Sequence, residues 1–314
     1  MGSACQTEVM DGSGRRRAGL GLTLVVAVLA VGASQAWAGL AVNLGSSHGL
    51  RYRSISPAAS VAAGSSGERN LSCAGDAPVG GGIFVNGNTA EAKLTSSTPY
   101  FSDQPTGPDY LSWYAGFQND TGSPKTFTVF GICRQAGFAG LRYRHRPNVL
   151  PPGEQSTAKA RCGRRSSLLG GGVIGSSGKW ISSSYPIDGN DADHRPDDGW
   201  AAKQYNSTAL LGGTTVYAIC TKQDRDKITY VKGAKTLLDA GGGFANVADC
   251  PSDSAVVDGG ASIAGPGATA FLQSSLPVDI GDANNTIPED EWRAPAYVTA
   301  GTERATRAYA ICVG

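Results

Sequence analysis

The chain has 314 residues, of which only 17% are charged and 8% aromatic, while 44 are glycine. That length suits about two domains. The low charge argues against a disordered polyelectrolyte or a coiled coil, and the glycines do not recur every third residue as collagen requires. A net charge of +1 offers no concentrated basic face for a phosphate backbone, so nucleic acid is not an expected partner.

The first 38 residues read as an export signal. Arg15, Arg16 and Arg17 form a charged region, Leu20 to Ala33 is apolar and uncharged, and Ala36-Trp37-Ala38 is a small-x-small cleavage site. Met10 is an alternative start. The apolar run is short for a membrane span, so no span is expected after cleavage. Removing residues 1–38 takes away three Arg, Glu8, Asp11 and Cys5, leaving 24 basic and 24 acidic residues and six cysteines. An even cysteine count in an exported chain reads as three disulfides, and the expected location is secreted, extracellular or periplasmic.

Residues 39–49 read as an N-terminal linker. Within them Gly45-Ser46-Ser47-His48-Gly49 matches a nucleophile-elbow pattern, but it lacks the preceding buried strand and following helix that such an elbow needs.

From Leu50 onward one pattern occurs three times, in units of about 90 residues. The units cover 50–134, 141–222 and 228–314. They open on Leu50-Arg51-Tyr52-Arg53, Leu141-Arg142-Tyr143-Arg144 and Ile228-Thr229-Tyr230-Val231. There follow a cysteine (Cys73, Cys162, Cys250) and a glycine cluster (Gly80-Gly81-Gly82, Gly170-Gly171-Gly172, Asp258-Gly259-Gly260). Then come Ser-Ser-x-Pro (ending at Pro99, Pro186, Pro277) and Trp-x-Ala (Trp113, Trp200, Trp292). Each unit closes on an aromatic and a cysteine, at Phe130 to Cys133, Tyr217 to Cys220 and Tyr309 to Cys312.

Each unit reads as about five antiparallel strands without a helix, giving an all-β fold with one disulfide per unit. In the last strand Phe127, Val129, Gly131 and Cys133 share one face and Thr128, Phe130 and Ile132 the other, both largely apolar, as in a central strand. The Trp-x-Ala strand reads as peripheral because Pro295 interrupts it. Glycines inside a strand mark a bulge or a close approach, here most simply to the tryptophan of the same unit. Short linkers leave two arrangements: separate sandwich-like modules in tandem, or three units closed around a pseudo-threefold axis. The simplest disulfides are Cys73–Cys133, Cys162–Cys220 and Cys250–Cys312. Pairs between units (Cys133–Cys162, Cys220–Cys250, Cys73–Cys312) are the alternative.

The unit Cys…Gly-Gly-Gly…Ser-x-Pro…Trp-x-Ala…Tyr-Ala-Ile-Cys resembles a class of exported bacterial β-rich repeat proteins, over Leu50 to Gly314. The resemblance implies export and a β-rich fold. It transfers no catalytic residue.

Chemistry-bearing residues are sparse. The histidines His48, His145 and His194 occupy non-equivalent places. Ser156-Thr157-Ala158-Lys159 and Ser176-Ser177-Gly178-Lys179 match Ser-x-x-Lys without the partner motifs of an acyl-transfer enzyme. The cysteines lack the spacing of a zinc site. A candidate ligand-binding group is Trp180 and Tyr185 beside the acidic loop Asp188, Asn190, Asp191 and Asp193. An exposed aromatic pair suits a sugar, and the loop oxygens suit Ca²⁺, although their spacing is not that of an EF-hand. No other cofactor or metal, and no catalytic residue, is expected. The expected function is a secreted non-enzymatic repeat protein, a multivalent binder of a surface, matrix or carbohydrate ligand. The alternatives are an extracellular hydrolase with its site in the second unit and a structural envelope component. Segment 141–223 carries eleven basic and six acidic residues and segment 228–314 five and ten, so an electrostatic contact between these two units is a further expectation.

Overall fold

Among the described residues the polar, glycine-punctuated sequence folds into strands joined by turns and loops. The structure is a computed structural model that describes residues 40–87, 90–101, 110–134, 140–189, 195–222, 227–279 and 287–314. Residues 1–39 and part of the loop after each Ser-Ser-x-Pro lie outside these residues. The first segment supplies β1 (Leu40–Ser47), β2 (Leu50–Ser56), β3 (Ala59–Val61), β4 (Ser65–Ser72), β5 (Ala77–Val85), β6 (Ala92–Phe101), β7 (Tyr110–Asn119) and β8 (Lys125–Arg134). The second supplies β9 (Arg142–Leu150), β10 (Gln155–Arg161), β11 (Ser167–Ile174), β12 (Lys179–Ile187), β13 (Gly199–Asn206) and β14 (Gly212–Thr221). The third supplies β15 (Ile228–Lys232), β16 (Thr236–Leu238), β17 (Gly243–Asp249), β18 (Ala255–Ile263), β19 (Ala270–Leu272), β20 (Leu276–Val278), β21 (Glu291–Val298) and β22 (Arg304–Val313).

All strand pairs are antiparallel, and the sheets cross from one segment to the next. β4-β7-β6 of the first segment continues into β11-β14-β9 of the second through Ser97↔Val173. β10-β13-β12 of the second continues into β18-β22-β15 of the third through Ser184↔Ala261. The third segment's β17, β19, β20 and β21 meet the first segment's β5 through the bridge Ile83↔Ser275, whose two backbone hydrogen bonds measure 2.7 and 3.0 Å. The chain therefore closes on itself, and the strands form one compact unit. Of the two arrangements open from sequence, strand pairing across segments is that of a closed ring.

The landmark residues explain how the ring is held. Trp113, Trp200 and Trp292 have no exposed surface. Each lies on the middle glycine of its own cluster. A Cβ on Gly81 would sit 2.7 Å from Trp113 Cγ, and one on Gly171 or Gly259 would overlap Trp200 or Trp292. One such buried indole contributes roughly 5 kcal/mol of apolar burial as an upper figure. The indole N–H groups donate to Ser97, Ser184 and Ser275 Oγ at 3.1, 2.8 and 2.9 Å. Those serines are the residues that pair with the neighbouring segment. One motif thus anchors the core of its own segment and the joint to the next. A register shift precedes each cluster, between Pro78 and Gly80, Leu168 and Gly170, and Val256 and Asp258, so the expected bulge is present three times. The opening tyrosines brace the ring from outside the joints. Tyr52 Oη donates to Val256 O at 2.6 Å, Tyr143 to Pro78 O at 2.8 Å and Tyr230 to Leu168 O at 2.7 Å, each reaching into a different segment.

The disulfides are Cys73–Cys133, Cys162–Cys220 and Cys250–Cys312, with Cα separations of 5.6, 5.6 and 5.8 Å. They lie within segments, as the simplest pairing has it, and β8, β14 and β22 are interior strands as read.

Three sequence readings are corrected. Residues 40–47 are not a linker but β1, which pairs with β2 along its length. Leu40 and Val42 are exposed, only Leu44 packs on the core, and the register breaks between Asn43 and Gly45, so no periodicity announced the strand. The Trp-x-Ala strand is not peripheral, since β21 lies between β17 and the β19/β20 pair. Pro295 is tolerated because its partner on that side is the break between β19 and β20, where Gln273 N donates to Pro295 O at 2.9 Å. Trp180 is not an exposed platform; it is 7% exposed. It meets the residues that occupy the same register in the other segments, Lys93 and Phe271. Lys93 Nζ stands 4.3 Å from the Trp180 ring centroid and 5.6 Å from that of Phe271.

Candidate functional site

The third glycine of each cluster shapes the surface at the joints. A Cβ on Gly172 would overlap Ser97 O and lie 2.8 Å from Thr98 Cα. Gly82 stands in the same relation to Ser275 and Leu276, and Gly260 to Ser184. The incoming strand thus lies against the glycine's face, and the two half-sheets fold toward each other at a seam. The residue paired with that glycine on the last strand is aromatic in every segment: Gly82↔Phe130, Gly172↔Tyr217 and Gly260↔Tyr309.

The seam between the first and second segments is the richest. Tyr100 on β6 stacks on Tyr114 of β7 with centroids 5.3 Å apart and an interplanar angle of 27°. Tyr217 on β14 faces them and is electrostatically coupled to Tyr100. His145 on β9 lies 6.1 Å from the Tyr217 ring. Tyr114 donates its hydroxyl to Glu68 on β4. The three tyrosines are half-buried and His145 is exposed, so the seam presents ring faces, hydroxyls, one carboxylate and one imidazole side by side. Such a surface stacks on flat apolar faces and exchanges hydrogen bonds at their edges. Along the neighbouring edge, Arg142, Arg144 and Arg146 of β9 are exposed. The seam between the second and third segments carries the stacked pair Tyr185 and Tyr309 at 5.5 Å and 24°, with Ser262 Oγ 3.4 Å from Tyr309 Oη. The remaining seam has Phe130 opposite Leu276 and no tyrosine among these positions.

Of the residues singled out from sequence, Tyr185 therefore lies in a seam, half-buried. Trp180 is turned inward, with Nε1 donating to Gly267 O at 2.8 Å and its ring 4.9 Å from Tyr205. The two rings contact different partners and form no common platform. Asp188 is half-buried just beyond β12. Asn190, Asp191, Asp193 and His194 lie outside the described residues, and with them the Ca²⁺ reading. Among the described residues no cluster of three His, Cys, Asp or Glu side chains forms. Ser47 Oγ and His48 Nδ1 are 2.8 Å apart on the exposed β1–β2 turn, and among the described residues no carboxylate hydrogen-bonds that ring. In the second segment Lys179 Nζ donates to Ser176 Oγ at 2.7 Å. Ser176 is exposed at a shallow hollow of about 560 Å³ lined also by Val149, Ile174 and Thr215.

Sequence reasoning missed the Tyr100, Tyr114, Tyr217, His145 and Glu68 group. These residues come from five strands of two segments. The available signal was the aromatic in the closing motif of each segment, three residues before its cysteine.

The phenols carry a pH signature. Tyr52, Tyr114, Tyr185 and Tyr217 are all held above the ordinary tyrosine range, in each case first by burial. Acidic neighbours add to this at Tyr52 and Tyr114, and a second phenol does so at Tyr185 and Tyr217. In the unfolded chain they ionise near the ordinary tyrosine value of 10.0. Above that pH the unfolded chain has released protons that the folded chain still holds, so stability is complete below about pH 10 and falls as pH rises beyond it. A titration of tyrosinate absorbance should show these four phenols ionising together with loss of the fold. Early, independent ionisation of all eleven tyrosines would contradict it.

Among the described residues no helix is long and apolar enough to cross a membrane. No known protein-family model matches the chain, and no curated protein matches it in sequence.

Proposed function

We propose that the chain is an exported, non-enzymatic binding protein that takes a saccharide of a surface or matrix polymer in the seam between its first and second segments. The observation that carries this is the half-buried Tyr100, Tyr114 and Tyr217 group, with Glu68 and His145 at its edges. Three disulfides suit an oxidising compartment. Arg142, Arg144 and Arg146 alternate with Tyr143 and His145 along β9 and lie on the face opposite Tyr217, so the seam itself offers ring stacking and hydrogen bonds rather than a basic contact. The seams are unequally equipped, so the reading is one principal site and a weaker one at Tyr185 and Tyr309 rather than three equal ones. The residue 39–314 chain should retain glycans on a glycan array. Tyr100→Ala and Tyr217→Ala should each weaken retention about tenfold, the equivalent of about 1.4 kcal/mol. A silent array, or unchanged binding in both folded variants, overturns the reading.

One observation favours a second reading, the extracellular hydrolase. Ser176 and Lys179 form a hydroxyl–amine pair at a surface hollow, the pairing used by serine–lysine acyl-transfer sites. A fluorophosphonate probe would label Ser176 if the pair is reactive, and the label would vanish in Lys179→Met. The binding reading expects no labelling.

A further inference from the structure

At the first position of the glycine cluster the three segments differ. Gly80, Gly170 and Asp258 occupy the same register, opposite Ile132, Ile219 and Ile311. They also meet in space. A Cβ on Gly170 would lie 2.5 Å from Asp258 Oδ2, and one on Gly80 would lie 2.9 Å from Asp258 Cβ. There is room for one side chain where the three strands converge, and Asp258 supplies it. Two aspartates would overlap and repel, so the equivalent positions cannot be chemically equal.

The next residue in each strand is the middle glycine, and all three of their N–H groups turn to the same carboxylate. Gly171 N donates to Asp258 Oδ2 at 2.7 Å and Gly259 N to Oδ1 at 2.9 Å, and Gly81 N donates as well. Each donor comes from a different segment. Asp258 is 1% exposed, and among the described residues no cation pairs with it. Burial raises its pKa, and the three N–H bonds work against that rise. Three converging backbone amides at a buried site form an anion nest. Here its occupant is covalently attached.

We propose that the Gly81, Gly171 and Gly259 amides form a carboxylate-binding cradle at the centre of the ring, and that Asp258 is its tethered ligand. A free carboxylate of the right size then substitutes for the side chain. Asp258→Ala keeps the Cβ and leaves space for a formate ion. Asp258→Gly also removes the Cβ and leaves space for acetate, whose methyl carbon stands in for it.

The test uses the full residue 39–314 chain with its disulfides formed, in a buffer whose only small anion is gluconate. Asp258→Ala and Asp258→Gly should each melt about 5–10 °C below the unsubstituted chain, since three buried donors lose their acceptor. Formate should raise the Tm of Asp258→Ala saturably, as ligand linkage requires, with acetate doing less. For Asp258→Gly acetate should be the better ligand. The unsubstituted chain should respond to neither. Equal shifts in all three proteins would be a solvent effect and overturn the cradle, as would variants that melt within about 2 °C of the unsubstituted chain. If both variants fold only with the matching anion present, refolding yield replaces Tm and the same expectations apply. If neither folds in any buffer, Asp258→Asn decides. Its amide NH₂ faces N–H donors, so a lowered Tm or failure to fold sustains the proposal, and an unchanged Tm overturns it.

Discussion

Gly171→Ala is expected to cost about 2–4 kcal/mol, a large part of the stability of a folded domain, whereas Gly213→Ala should change stability by less than about 0.5 kcal/mol. A methyl group on Gly171 would lie 2.5 Å from both Trp200 Cδ2 and Tyr217 O. Neither neighbour can yield cheaply. Trp200 is fully buried and its indole N–H is committed to Ser184, while Tyr217 O belongs to an interior strand. Overpacking of this kind costs about 1–3 kcal/mol, and displacing the indole adds roughly 1 kcal/mol for the lost hydrogen bond. The disturbance also reaches the joint, because Ser184 pairs with Ala261 of the next segment. Gly213 lies on the same strand as Tyr217 but is exposed, with nothing within 4 Å of its added Cβ. Urea denaturation of both variants measures the difference. A Gly171→Ala chain within about 1 kcal/mol of the parent would mean that the tryptophans are not locked against the glycines.

The same residues show what was legible from sequence. The glycine clusters, the tryptophans and the within-segment disulfides were readable because each depends on a pattern repeated inside one segment. Ring closure was not, because the decisive contacts are single residue pairs such as Ser97↔Val173 between copies of one motif. A serine that recurs three times does not say whose strand it will meet. The Tyr100 and Tyr217 seam was hidden for the same reason. Trp180 reads as exposed because its equivalents, Lys93 and Phe271, share neither its size nor its chemistry, and nothing within one segment shows that the Lys93 ammonium stands over both rings. Lys93, Trp180 and Phe271 differ while the positions around them repeat, and so do Gly80, Gly170 and Asp258. In both sets the three side chains converge, and convergent places cannot hold three identical large groups. Divergence at a repeated position was thus the overlooked signal of an axis. β1 gave little signal, since only Leu44 of this edge strand packs on the core and a break in register at Asn43 and Gly45 interrupts any alternation.

Complete reduction of the disulfides is expected to unfold the chain under conditions where loss of any one leaves it folded. The three closed loops span 60, 58 and 62 residues. Each contributes about 4 kcal/mol by the chain-entropy relation. The loops do not overlap in sequence, so their contributions add to about 12 kcal/mol, within the 5–15 kcal/mol that a whole domain possesses. A Cys162→Ser, Cys220→Ser chain should therefore keep its tryptophan emission and strand signal but unfold at lower urea. The order of reduction should follow access. Cys73 and Cys133 are both fully buried, whereas Cys162 and Cys250 are half-buried, so Cys73–Cys133 should be the last bond to open. Alkylation and peptide mapping at timed intervals read that order. None of the bonds crosses a seam, however, so none of them closes the ring covalently. What joins the last segment to the first is the Ile83↔Ser275 bridge, the Tyr52 hydroxyl on Val256 and the carboxylate of Asp258 on Gly81. If the fully reduced chain keeps its native emission and urea midpoint, those non-covalent ties and the shared core are sufficient, and the disulfides serve only to slow unfolding.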